Sequence, residues 1–227
     1  MNRIRRFMSA KGKAGWWFYL FIRTSIRRVL YPYFRVRVVG REHLDAATPL
    51  IVAPTHRSNL DAPLLGAAPN WRCRSLSKES LFENAALGWV VTALGSFPVK
   101  RGSADREALR TAQQLLAEGE RVLVFPEGTR QSGNNIGEIF DGTAYLASKS
   151  GARVVPIGIF GTEAALPSGA KRPRRSTVTI VVGEPMDPPI NPDGGRVKRE
   201  HLATFTAELR ETLQSLMDAA IADSASR

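Results

Sequence analysis

One cysteine, Cys73, occurs in 227 residues. No internal disulfide framework can staple this chain, and a single thiol fits a reducing compartment. Long apolar runs are missing as well. The run from Ala14 to Ile22 is stopped by Arg23, and Arg27 and Arg28 follow. A bilayer-crossing helix needs about 20 mostly apolar residues, so no span is expected. No small-residue cleavage site follows the run, which argues against a secretory signal. Zinc-ligand spacings, RNA-binding signatures and internal repeats are also absent. Acidic residues are scarce where basic ones are dense: residues 1–45 hold eleven Lys and Arg against Glu42 and Asp45.

What is present is an ordinary globular composition, 43% hydrophobic and 23% charged, with a formal charge of +11. A pI near 10.5 leaves three partner classes open: nucleic acid, an anionic membrane, or a phosphorylated small molecule. Position narrows the choice, because +9 of that charge lies in residues 1–45 beside eight aromatic side chains between Trp16 and Phe34. Wheeled at about 100° per residue, Phe18, Ile22, Ile26, Val29, Leu30 and Tyr33 share one side. Arg23 and Arg27 fall opposite, with Trp16 and Leu20 interrupting that polar face. Basic, aromatic helices of this kind lie in membrane interfaces. Residues 1–33 are therefore expected to form an amphipathic membrane-associating helix, with Trp16, Trp17, Phe18, Phe21, Ile22, Arg23 and Arg27 in contact with anionic lipid. The plainer alternative is a helix packed on the protein's own body.

Beyond it, strand-like and helix-like segments alternate. Strands are expected at Phe34–Val39, Leu50–Pro54, Trp71–Ser77, Ser96–Val99, Arg121–Phe125, Arg153–Phe160 and Ser176–Val182. Helices are expected at Ala104–Glu118, Asp141–Ser150 and Val197–Ala222, the last carrying Leu202, Phe205, Leu209, Leu213 and Leu216 on one face. This alternation predicts the α/β class, a largely parallel sheet flanked by helices, over residues 34–222, with a disordered tail at 223–227. Ligand-bearing loops then gather at one sheet edge. Lys171, Arg172, Arg174 and Arg175 form a second basic patch between two strands.

Of three histidines, His43 and His201 sit among charged residues and are expected in solvent. His56 directly follows the apolar run Leu50–Pro54, and Asp61 lies five residues on. On one straight helix the two would point apart, but a turn lets the carboxylate reach back to the imidazole. A carboxylate on one ring nitrogen fixes the tautomer and leaves the other as a base. Such a pair has no nucleophile of its own. A second strand end carries Phe125-Pro126-Glu127-Gly128-Thr129-Arg130, whose backbone N–H groups, hydroxyl and guanidinium suit a phosphate, although Pro and Gly would equally explain an ordinary turn. A third carries Phe97-Pro98-Val99-Lys100-Arg101.

Taken in order, His56-x4-Asp61, Phe97 to Arg101, Phe125 to Arg130 and Val154-Val155-Pro156-Ile157-Gly158 resemble the glycerolipid acyltransferase family, in particular its bacterial 1-acylglycerol-3-phosphate branch. The resemblance implies acyl transfer from acyl-CoA or acyl carrier protein, as co-substrate, to the hydroxyl of a lysophospholipid acceptor, with no bound cofactor and no metal. It makes His56 the general base and Asp61 its orienting partner. Arg101, Glu127, Gly128, Thr129 and Arg130 would hold the acceptor's phosphate and glycerol, and Pro156 would shape a pocket. The expected address is peripheral or monotopic, on the cytoplasmic face of the cell membrane, with no nucleic-acid partner. Two departures touch charge near the presumed phosphate site: Lys100 stands where the family often has an acid, and Asp141 follows Phe140 where a Lys is common. Glycerol 3-phosphate, another lysophospholipid or a glycolipid stay open as acceptors.

Overall fold

The computed structural model describes residues 13–99, 104–192 and 195–227. Seven strands form one sheet: β1 (Arg37–Val39), β2 (Leu50–Pro54), β3 (Arg74–Lys78), β4 (Ser96–Val99), β5 (Arg121–Leu123), β6 (Arg153–Phe160) and β7 (Thr179–Val182), in the order β1-β7-β6-β2-β5-β3-β4. Every pairing is parallel except β6 with β7. The helices are α1 (Lys13–Ser25), α2 (Asp61–Ala67), α3 (Ala85–Ala93), α4 (Ala104–Ala117), α5 (Gly142–Ser150), α6 (Thr162–Ala165) and α7 (Arg199–Ala225). A π turn, Ile26–Leu30, continues α1 into a last turn at Tyr31–Tyr33.

The period-two alternation of a strand splits the core in two. Ile51 and Ala53 of β2, with Val122 and Val154, face residues of α4, α5 and α7. Leu50 and Val52, with Leu123, Val155, Ile157 and Ile159, face α2, Phe34, and Ile26 and Leu30 of the N-terminal segment. β2 is buried along its whole length, as a central parallel strand covered on both faces must be. Gly158 of β6 lets α7 approach closely, since a Cβ there would collide with the backbone of Leu216 and Met217.

Three sequence expectations change. Helix α3 was not anticipated: its residues are apolar on all sides, so no helical period stands out. Its cue is Asn84, whose side chain accepts from the Leu87 amide at 3.0 Å. The disordered tail expected at 223–227 is instead helix to Ala225. Asp223 pairs with Arg37 at 3.1 Å and accepts from the Thr179 hydroxyl, and Arg227 donates to the Arg35 carbonyl. His43 is half-buried, with Nδ1 at 3.1 Å from the Val182 carbonyl.

Candidate active site

β2 and β5 are parallel neighbours, so the loops leaving their carboxyl ends emerge side by side. The ladder runs on past β5, where the Val124 amide donates to the Val52 carbonyl. The loop after β2 then turns sharply, bringing His56 Nδ1 to 2.9 Å from Asp61 Oδ2. Asp61 is fully buried at the start of α2. The same oxygen accepts from the Arg57 and Ser58 amides at 2.6 and 2.7 Å, so the carboxylate holds the turn as well as the ring. No side-chain hydrogen bond caps the start of α2. Ser58 Oγ donates instead to the Leu166 carbonyl at 2.8 Å.

With Nδ1 occupied by Asp61, Nε2 is the ring nitrogen left for a substrate proton. The imidazole lies flat on Phe125, ring centroids 3.8 Å apart and planes 19° from parallel. That stacking fixes the ring's second degree of freedom. Among the described residues no hydroxyl or thiol is bonded to the imidazole. The Ser58 hydroxyl is spent on Leu166, and Thr55 Oγ1 accepts from the Ile159 amide. Cys73 lies at the opposite sheet edge, its Sγ beside the Arg121 carbonyl, and burial pushes its thiol up to about 12.

Glu127, expected to hold the acceptor, faces inward. Its carboxylate accepts from Arg57 Nη1 at 2.7 and 2.9 Å and from the His56 amide at 2.7 Å. Arg57 and Glu127 are both buried, and a buried carboxylate survives only with such partners. Arg57 also donates to the His56, Gly133 and Asn135 carbonyls. The two motif loops are thus locked together by one ion pair beneath the His56 imidazole. Sequence reasoning missed Arg57 and Phe125. Arg57's cue was a lone cation inside a loop bracketed by apolar segments.

The outer part of the second loop stays open. Gly128, at φ +67°, lies close under the Phe140 ring, and Thr129 and Arg130 are exposed. Arg130 has no hydrogen-bond or ion-pair partner among the described residues. Asp141 is turned toward α7, where it accepts from the Thr206 hydroxyl at 2.8 Å. Arg101, and Lys100 beside it, lie outside the described residues.

The N-terminal segment divides between the two readings offered for it. Trp16, Trp17 and Phe21 are exposed, Trp17 by 68% and Phe21 by 66%. Phe18 is half-buried against Trp89 of α3, centroids 5.0 Å apart. Ile22 is half-buried, and Arg23 lies over the Tyr19 ring. Tyr19 is buried and donates to the Trp71 carbonyl at 2.8 Å. Arg27, expected against lipid, instead donates to the Ala67, Ala68 and Pro69 carbonyls, satisfying the C-terminal end of α2. Among the described residues no helix is long and apolar enough to cross a membrane.

Known proteins resemble this chain in sequence and in fold. Residues 35–160, more than half of the chain, match the family described as Acyltransferase. The chain is 30% identical over 162 residues to the chloroplastic 1-acyl-sn-glycerol-3-phosphate acyltransferase of Arabidopsis thaliana, covering 69% of this chain and 45% of that protein. It is 27% identical over 200 residues to the 1-acyl-sn-glycerol-3-phosphate acyltransferase of Bacillus subtilis, covering 87% and 96%. Its fold matches the crystal structure of the 1-acyl-sn-glycerophosphate acyltransferase of Thermotoga maritima with a TM-score of 0.71 and 25% identity, over 93% of this chain and 86% of that one. The chain spans about half the length of the plant and algal relatives it matches.

Proposed function

The chain belongs to the acyltransferase family, and on that premise we propose that it moves a fatty acyl group from acyl-CoA or acyl carrier protein to the free hydroxyl of 1-acylglycerol 3-phosphate. The observation that carries this is the His56–Asp61 pair, 2.9 Å apart at the carboxyl end of β2, with no hydroxyl or thiol bonded to the imidazole among the described residues. His56 Nε2 takes the proton of the substrate hydroxyl as its oxygen attacks the thioester carbonyl. Asp61 holds the ring and steadies it while it is protonated. The tetrahedral intermediate collapses as the C–S bond breaks, and the proton passes from His56 to the leaving sulfur. An ester and a free thiol result, and no acyl-enzyme forms. Arg130, exposed and unpaired among the described residues, is suited to the acceptor's phosphate. Arg101 is assigned the same work on the family resemblance.

The substrate is a membrane lipid, and the protein reaches it by peripheral association. Supporting this, Trp16, Trp17 and Phe21 form an exposed aromatic group, and Trp89, 46% exposed, touches Phe18 beside them. Such rings favour the bilayer interface. The deciding experiment is a transfer assay on the purified protein with a panel of acceptors and both donors. 1-Acylglycerol 3-phosphate is expected to be consumed fastest, and absence of transfer to any glycerolipid hydroxyl overturns the reading.

A further inference from the structure

The Lys171–Arg175 patch has no part in the chemistry above, yet it belongs to the same end of the molecule. β6 is parallel to β2, so the segment leaving Phe160 emerges on the edge that carries His56. Its first turn is tied directly to the loop after β2 and to the segment after β5. Ser58 Oγ donates to the Leu166 carbonyl at 2.8 Å, and the Gly133 amide donates to Glu163 Oε2 at 3.0 Å. The basic stretch is pinned to that turn in return, through the Arg174 amide on the Ala165 carbonyl at 2.7 Å and the Ser176 hydroxyl on the Gly161 carbonyl at 3.2 Å.

Lys171, Arg172, Arg174 and Arg175 are all exposed. Among the described residues none of their side chains has a hydrogen-bond or ion-pair partner. The acid in the turn, Glu163, is occupied by Gly133. Four like charges in five residues repel one another, and no contact among the described residues offsets that.

Strand order says what they face. β2 lies between β6 and β5 in the sheet. His56 therefore stands between two sets of cations: Arg130 on the β5 side and the basic loop on the β6 side. The proposed reaction brings together two phosphorylated molecules, whose hydroxyl and thioester meet at the base while their phosphate ends diverge. The β5 side accounts for the acceptor. We propose that Lys171, Arg172, Arg174 and Arg175 hold the nucleotide phosphates of the acyl-CoA donor. This rests on the acyl-transfer reading.

The test combines Lys171→Gln, Arg172→Gln, Arg174→Gln and Arg175→Gln in the full chain, assayed in neutral detergent so that no anionic surface contributes. KM for acyl-CoA is expected to rise about tenfold, as loss of several exposed charge pairs would give. KM for the acyl-pantetheine thioester, which lacks the nucleotide, and KM for the acceptor should not move. Free coenzyme A, titrated calorimetrically, should bind the variant about tenfold more weakly than the wild type. Unchanged KM for acyl-CoA overturns the assignment. So does a defect seen only on anionic vesicles, or only with acyl carrier protein as donor. If the wild type transfers no acyl group, the reaction reading fails by itself. Calorimetry then decides the loop: coenzyme A binding that depends on the four cations upholds it, and equal or absent binding overturns it.

Discussion

Around His56 almost every polar group has a protein partner, while along the outer side of the N-terminal helix Trp17 and Phe21 are about two-thirds exposed. The first region is over-determined. Asp61, Phe125, Glu127 and Arg57 together fix one ring and the backbone beneath it. Three of these anchors, Asp61, Arg57 and Glu127, are buried. The second region is determined on one side only. Tyr19, Ile26, Leu30, Tyr31 and Arg27 bind it to the protein and Phe18 packs on Trp89, while Trp17 and Phe21 stay exposed. The proposed base must be held in one orientation to act, whereas the proposed lipid-facing surface needs only the right chemistry. The same substitution, an aromatic or polar side chain cut to Ala, should thus be read out in different measurements in the two regions.

The largest effect is expected at His56, the proposed base. His56→Ala is expected to lower kcat by about 10²–10⁴, the usual worth of general-base catalysis, with an unchanged circular dichroism spectrum and melting temperature. Near-normal transfer by that variant would remove His56 from the mechanism.

Next comes the pair beneath it. Glu127→Gln leaves Arg57 buried without a counter-charge, and breaking such a pair costs about 3–5 kcal/mol. Denaturant unfolding should show the loss directly. Had Glu127 been a surface ligand of the acceptor, as its motif suggested, stability would be untouched and KM alone would change. That outcome would collapse the contrast between an over-determined site and an open rim.

The same contrast explains what the sequence could and could not disclose. His56 and Asp61 lie in one short loop, so their meeting needs only a turn and was readable from local order. Arg57 and Glu127 are seventy positions apart. Their meeting depends on β2 and β5 being neighbours, which no local pattern reports. The α/β class was legible chiefly through the central strands β2 and β6, because buried parallel strands read as short apolar runs, whereas β1 is largely exposed and β3 is mostly polar. Helix α3 was not legible, because its residues carry no period. In the N-terminal helix the single apolar face expected from the wheel is divided: Ile26 and Leu30 pack on the protein while Val29 and Tyr33 are exposed. A wheel of constant angle cannot follow the π turn at Ile26–Leu30, which takes more residues per turn and shifts the phase. Nor can a wheel say whether an arginine looks out to lipid or, like Arg27, in toward the carbonyls ending α2.

On the open side, Arg130→Ala should raise KM for a phosphorylated acceptor by about tenfold, with kcat and melting temperature nearly constant. Trp17→Ala combined with Phe21→Ala should weaken binding to anionic vesicles by about tenfold or more, since each ring buries substantial apolar area in the interface. Unfolding free energy should stay within about 0.5 kcal/mol of wild type, as for other exposed positions. These point variants are sharper than deleting the helix, which would strip Ile26, Leu30 and Tyr31 from the core they cover. A large stability loss in the double variant would mean that its rings pack on the protein after all.

The smallest effect separates both regions from a third place, the buried thiol at the far sheet edge. Burial raises Cys73 from 9.0 to about 12 and Tyr31 from 10.0 to about 12. In the unfolded chain both groups lose their protons near their ordinary values, while the folded protein keeps them until higher pH. The folded state therefore binds more protons across this window, and stability must fall as pH climbs from about 9 toward 12. Measured as urea midpoints, the decline should be shallower in Cys73→Ala, which removes one of the groups that burial raises, Tyr19 being another. The substitution costs some packing at every pH, so the slope is the diagnostic rather than the midpoint. Acyl transfer at neutral pH should be unaffected in kcat. A fall in kcat together with an unchanged alkaline slope would make Cys73 part of the chemistry and leave His56 with a nucleophile to serve.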